Sequence, residues 1–363
     1  MQKKILYFYF IIILFFLGCS SESSLKQTIK DNNISLLGEP YFNQQWYIDK
    51  NDLFYTQHNI NNDANIHPGD ILQTYSGKGI TIAVIDEELD IFHEDLQNTI
   101  INTYNILTNS NDTSLLNTTA YHGTAVTGII AARINSKGIA GIANQSNIIF
   151  LQYANEMTDS QTIELFDKAV ELGADIINCS WGTYDVSLAV KDKIIDIATN
   201  SKNGRGIPII FACGNDDISM QNDESSISEV ISVGSSNKYN LRAWYSNYGS
   251  NLDLLAPGGY DLGIATLDPT GKNGISYIDD NYLLYDDSNK FIGTSASAPI
   301  VTSIIALMLE KDPSLTRIEI ESILKNTADK IGNIDYINNK NDYYGYGKIN
   351  LEKIMESIKV YFK

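Results

Sequence analysis

The stretch GTSASAP, Gly293 to Pro299, carries more of the fold than any other in this chain. Its glycine turn runs straight into an apolar helix with Ile300, Val301, Ile304, Ile305, Leu307 and Met308. Ser295 therefore stands at a helix start, beside backbone N–H groups without intrahelical partners and at the positive end of the helix dipole. A hydroxyl there can attack a carbonyl and has donors nearby for the negative oxygen that results. Serine is equally favoured at such a place as a plain helix cap.

Two earlier segments separate these readings. TIAVIDEELDIFHEDL, Thr81 to Leu96, begins as a short apolar strand that ends on Asp86. YHGTAVTGIIAARI, Tyr121 to Ile134, opens on His122 and continues as a small-residue helix with Val126, Ile129 and Ile130 on one face. Asp, His and Ser thus each sit at the mouth of an element. A serine hydroxyl is a weak nucleophile until a base takes its proton, and neutral imidazole is a base poised near pH 7. A carboxylate can hold the ring in the right tautomer and stabilise the imidazolium.

Working outward, strands are expected at Ile80–Ile85, Ile148–Gln152, Ile176–Cys179, Pro208–Ala212 and Val230–Val233. They alternate with helices at Gly123–Arg133, Gln161–Leu172, Val190–Thr199, Ala298–Glu310 and Arg317–Thr327. This order predicts an α/β fold with a mostly parallel sheet and helices on both faces. Catalytic loops then belong at the carboxyl ends of the strands. The 363 residues are 43% apolar, ample for one large core, and the net charge of −18 argues against nucleic-acid binding. It is compatible with basic substrates.

The chain resembles the subtilases, and within them the kexin/furin branch, from about Glu39 to the C-terminus. Asp86 and the run His93-Glu94-Asp95-Leu96 match the family's Asp-x-Gly and His-Pro-Asp-Leu blocks, and HGTAVTGIIAA matches its histidine block. INCSWG (Ile177–Gly182), FACGN (Phe211–Asn215) and GTSASAP match the substrate strand, the oxyanion block and the serine block. PYFNQQW and YSNYGSNLDLLAPGG read as kexin-like. The chain order Asp, His, Ser is that of subtilisin.

The resemblance implies a three-layer subtilisin-like fold and a serine endopeptidase. Ser295 would be the nucleophile, His122 the base, Asp86 its orienter and Asn215 the oxyanion donor. It implies that Ser180, Trp181 and Gly182 pair with substrate and wall the S1 pocket. Asp185 would be a buried acid for a basic P1 side chain, Glu87 an acid facing P2, and Asp223 a second S1 acid. It also implies a Ca²⁺ cage from Asp95, Asn135 and the carbonyls of Arg133, Lys137 and Ile139, with Glu39 reaching in. One departure is Asp86-Glu87-Glu88, where the family has glycine at the third position. The added carboxylate of Glu88 is expected to raise the pKa of His122 and shift the activity optimum to alkaline pH.

At the N-terminus, Lys3 and Lys4 precede an apolar run that ends in Leu-Gly-Cys at Leu17–Cys19. Residues 1–19 read as a signal peptide whose end resembles a bacterial lipobox, so Cys19 is the expected lipidation site. Residues 20–38 would be a polar tether and 39–363 the peptidase domain. A folded prodomain and the kexin-type β-sandwich domain are not expected, so a separate folding helper or inhibitor becomes a candidate partner besides polypeptide substrates and the membrane. The expected location is the bacterial cell envelope, else the medium. Cys179 and Cys213 are expected as two buried thiols, the alternative being a disulfide between them in an oxidising compartment. An apolar P1 preference is the first alternative; a catalytically weak, peptide-binding surface lipoprotein of the same fold is the second.

Overall fold

The computed structural model describes residues 38–113, 119–154 and 156–358. The expected signal peptide, Cys19 and the tether up to residue 37 lie outside them. Seven parallel strands form the central sheet: β1 (Thr81–Asp86), β2 (Ile100–Asn105), β3 (Asn147–Gln152), β4 (Ile176–Cys179), β5 (Ile209–Ala212), β6 (Ile231–Ser236) and β7 (Leu254–Pro257). Their order across the sheet is β2-β3-β1-β4-β5-β6-β7, with Asp86 opposite Gln152 and Ile85 opposite Cys179.

Both faces of β1 are buried, as a parallel sheet covered by helices requires. Ile82 and Val84 point into one core with the helices α2 (His122–Ala131) and α5 (Thr294–Lys311), where Val126, Ile129, Ile300 and Ile304 meet them. Ala83 and Ile85 point into the other, with Leu165 and Phe166 of α3 (Asp159–Glu171) and Val190 and Ile194 of α4 (Leu188–Gly204). The period of two along one strand thus fixes which helices lie on which side. α1 (Asp52–His58), α6 (Arg317–Thr327) and α7 (Leu351–Ser357) complete the described helices. Capping boxes at Thr158/Gln161 and Thr316/Glu319 start α3 and α6, each serving two backbone N–H groups that the helix cannot.

The expected five strands and five helices are all present. α5 begins at Thr294, four residues before the expected Ala298, and carries Pro299 inside it. Its N-cap is Gly293, at φ +120°, with no side-chain cap bond. Ser295 is the second helical residue, which removes the plain-cap reading. Cys179 and Cys213 are free, buried thiols, as expected. Burial pushes the Cys213 thiol up to about 12, so it is inert at neutral pH.

Candidate active site

Asp86 is the last residue of β1 and is wholly buried. Its Oδ1 accepts the backbone N–H of Glu87 at 2.8 Å and lies 2.7 Å from His122 Nδ1. Oδ2 is buried, with no hydrogen-bond partner among the described residues. Uncompensated charge this close to an imidazole favours the imidazolium. The close approach of α2 to the loop after β1 brings the pair together. A Cβ on Gly123 would come within 2.5 Å of the Glu88 carbonyl and 2.8 Å of the Phe150 ring, so only glycine fits there. The Phe291 ring closes over His122 with its centroid 5.6 Å away.

The electrostatics of His122 are set by opposing effects. Burial disfavours its charged form, but the charge and hydrogen bond of Asp86, with the charge of Glu87, outweigh this and raise its pKa above the ordinary 6.5. The acid beside the pair is therefore Glu87; the expectation for Glu88 is corrected. The Glu88 charge acts on Glu87, whose own pKa is raised by burial first and then by Asp86 and Glu88, against the pull of His122. Glu88 is not among the residues with left-handed backbone, so the glycine of the family pattern is dispensable here.

Ser295 projects from the first turn of α5. Its Oγ donates to the Ser180 carbonyl at 3.0 Å rather than to His122. Asn215 follows β5 in a turn opened by Gly214 at φ +101°. Its Oδ1 accepts from Thr294 N at 2.8 Å and from Thr294 Oγ1 at 3.0 Å. With the oxygen held, Nδ2 is the end of the amide left to donate.

The neighbouring strand departs from expectation in two places. Trp181 donates its indole N–H to the Ile85 carbonyl at 2.9 Å and packs its ring on Phe211 and Tyr153. It anchors the strand to β1, where a pocket wall was expected. Asp185 is exposed, not buried, and accepts from Asn222 Nδ2 at 2.8 Å. The buried acid is Glu224, 2% exposed, which accepts Thr183 N at 2.8 Å and Thr183 Oγ1 at 3.0 Å. A Cβ on Gly182 would meet only Glu224, at 3.9 Å, so Gly182 borders open space beside that acid. Asp223 is half-buried, and burial raises its pKa against a 2.7 Å bond from Ser225. Sequence reading passed over Glu224 because it lies in an Asn-, Asp- and Ser-rich run that looks like solvated loop.

Behind α2, the Asp95 carboxylate is wholly buried and accepts from Asn135 Nδ2 at 3.1 Å and Ile139 N at 3.4 Å. Burial drives its pKa up to about 7. The Lys137 ammonium goes to Glu94 at 2.6 Å, and among the described residues no lysine or arginine forms an ion pair with Asp95. Arg133 donates its N–H to the Asp95 carbonyl at 2.8 Å, which sets the start of the loop. Glu39 does reach in, though as an acceptor of loop amides: its two oxygens take the N–H groups of Asn135, Ser136 and Lys137, each at 2.8 Å. The expectation of Glu39 as a ligand is corrected to that of a clamp on the loop. A buried carboxylate lacking a cation, beside an amide side chain and a loop of carbonyls, is a donor set that fits a hard divalent ion.

A carboxylate–imidazole pair, a serine at a helix start and a held amide now stand at the carboxyl ends of β1 and β5 and the head of α5. The model of the subtilase family matches residues 77–347. The chain belongs to the subtilase family. It is 30% identical over 347 residues to a calcium-dependent protease of Trichormus variabilis, covering 87% of this chain and 51% of the relative. It is 30% identical over 332 residues to a thermophilic serine proteinase of Bacillus sp. AK1, covering 89% of this chain and 73% of that one. This subtilase thus spans about half the length of the first relative. Among solved structures, a protease of Pseudoalteromonas arctica superposes with TM-score 0.70 at 24% identity, over 88% of this chain and 98% of that chain. An Aeromonas sobria serine protease, solved with its chaperone, superposes with TM-score 0.72 at 20% identity, over 81% and 62%. Both show the subtilisin-like fold.

Proposed function

We propose that this subtilase is an exported serine endopeptidase working through Asp86, His122 and Ser295. The 2.7 Å Asp86–His122 contact, between the end of β1 and the start of α2, carries this reading. Ser295 Oγ turns from the Ser180 carbonyl to His122 Nε2 and attacks the scissile carbonyl carbon while His122 takes its proton. The oxyanion is received by Asn215 Nδ2 and the Ser295 backbone N–H. His122 then gives the proton to the departing amine, and water, activated by the same base, frees the acyl group.

The base must be neutral to act, so the raised pKa of His122 moves the acidic limb of kcat/KM toward alkaline pH. Glu87→Gln removes one of the charges responsible, and the limb is expected to move to lower pH in a pH–rate profile. A profile identical to that of the wild type would assign the shift to Asp86 alone.

We infer a kexin-like preference for a basic P1 side chain. It is supported by Glu224 beside Gly182, with Asp223 next to it in sequence and Asp185 bonded to Asn222, and no lysine or arginine pairs with any of the three among the described residues. Glu87 beside the catalytic pair would meet a basic P2. Paired fluorogenic peptides ending in Arg or Leu, with Ser295→Ala as control, test both proposals. Serine-dependent cleavage after Arg, favoured by about 100-fold in kcat/KM, is expected. Cleavage after Leu alone would keep the peptidase and discard the basic pocket.

Calcium is proposed at Asp95, Asn135 and the carbonyls of Arg133, Lys137 and Ile139, in keeping with the calcium dependence of the Trichormus relative. The ion would supply charge compensation for Asp95 and rigidity to the loop after α2. Chelation is expected to lower Tm by about 5–10 °C, the linkage from an ion held at about a hundredfold above its Kd. Asp95→Asn should abolish that difference between calcium and chelator in a thermal scan. We further propose export to a bacterial cell envelope with lipid on Cys19. The Aeromonas protease with its chaperone supports a separate folding helper here.

A further inference from the structure

We propose that Asn178 and Thr302 are positioning residues for Ser295, acting through the Ser180 hydroxyl. The need for them arises within GTSASAP itself. In an α-helix the carbonyl of residue 295 is paired by the N–H of residue 299, and here residue 299 is proline, which has none. The proline ring also crowds that carbonyl. Ser295 is thus attached to the helix by one backbone bond fewer than its neighbours, at the residue whose position matters most.

A side chain from the sheet replaces the missing partner. Ser180 Oγ donates to the Ser295 carbonyl at 3.1 Å. Asn178 Nδ2 donates to Ser180 Oγ at 3.1 Å and so directs the hydroxyl's own proton toward Ser295. Thr302 Oγ1 donates to Asn178 Oδ1 at 2.8 Å, which fixes which end of the amide faces Ser180. Thr302 lies seven residues after Ser295, two turns along α5 on the same face, so the chain of bonds leaves the helix and returns to it. Asn178 and Thr302 are fully buried, and each bond has one sense only, because a different donor order would strand a buried polar atom. The Ser295 hydroxyl meanwhile rests on the Ser180 carbonyl. Residue 180 therefore holds both the backbone and the resting rotamer of residue 295.

The inference rests on Ser295 as the nucleophile. Its test uses the full chain with calcium and a peptide that the wild type cleaves. kcat, KM and the rate of Ser295 labelling by a fluorophosphonate are measured for Ser180→Ala, Thr302→Val and Thr302→Ser. Ser180→Ala and Thr302→Val are expected to lower kcat and labelling together by about 10- to 100-fold, with KM within about twofold. Thr302→Ser keeps the donor and should restore most of both rates. Unchanged kcat in variants that melt like the wild type would overturn the proposal. So would a rise in KM with kcat intact, which would leave Ser180 as a substrate contact only. If Thr302→Val does not fold, Ser180→Ala, which deletes a single hydroxyl, decides alone. A wild type without turnover that Ser295→Ala removes would overturn the serine-peptidase reading, and this inference with it.

Discussion

Ser295→Ala is expected to lower kcat on the order of 10⁶-fold, the size measured for loss of the nucleophile or the base in subtilisin. The carbon framework of the site would be unchanged, since the hydroxyl makes one hydrogen bond, to the Ser180 carbonyl. Losing that bond costs about 1 kcal/mol and so shifts Tm by only a few degrees. A large fall in rate from a protein of nearly unchanged stability therefore isolates the chemical role. His122→Ala should fall as far, and the double variant no further, because a base without a nucleophile has nothing to deprotonate. The residual rate, on the order of 10³- to 10⁴-fold above water, would come from oxyanion donors and substrate binding. Steady-state kinetics with active-site titration measure all three. A Ser295→Ala protein retaining a tenth of wild-type activity would place the nucleophile elsewhere and leave the alternative of a weakly active peptide binder in the lead.

The places of Asp86, His122 and Ser295 in the fold were legible because each terminates a strand or stands at the start of a helix whose apolar residues are contiguous in sequence. TIAVID, the helix from His122 and the helix from Ser295 each declare a buried element without help from distant residues. β2 was not legible: IINTYN is an edge strand, half-exposed at its start, and its Asn and Thr break the alternation. β7 was missed because LLAP offers four residues and ends in proline. The acids near Gly182 show the sharper limit. Asp185 and Glu224 look alike in sequence, yet one is exposed and the other buried, and what decides is a pairing between Thr183 and Glu224 across 41 residues. Glu39 meets its three amides across 96 to 98 residues. Composition carries no trace of such contacts. The Thr302–Asn178–Ser180 chain is hidden for the same reason, although Pro299 gave the local reason to look for it.

Asn215→Ala is expected to lower kcat by about 10²- to 10³-fold with KM little changed, the loss found for one oxyanion donor in subtilisin. The carbonyl oxygen of a bound peptide is weakly charged and gains little from Nδ2; the tetrahedral oxyanion carries full charge in a site shielded from water and gains much. The effect therefore falls on the rate and not on ground-state binding. Thr294 sharpens the prediction, since its N–H and hydroxyl both hold Oδ1 and so fix which end of the amide faces the reaction. Asn215→Asp retains that acceptor for Thr294 but replaces the donor with negative charge, and it should be at least as slow as Asn215→Ala. Asn215→Gln keeps the amide on a longer arm that Thr294 no longer positions, and only partial recovery is expected. If instead Asn215→Asp matched the wild type while Asn215→Ala was slow, Asn215 would serve as an anchor for Thr294. The oxyanion would then be held by the Ser295 N–H and a donor still to be found at the head of α5.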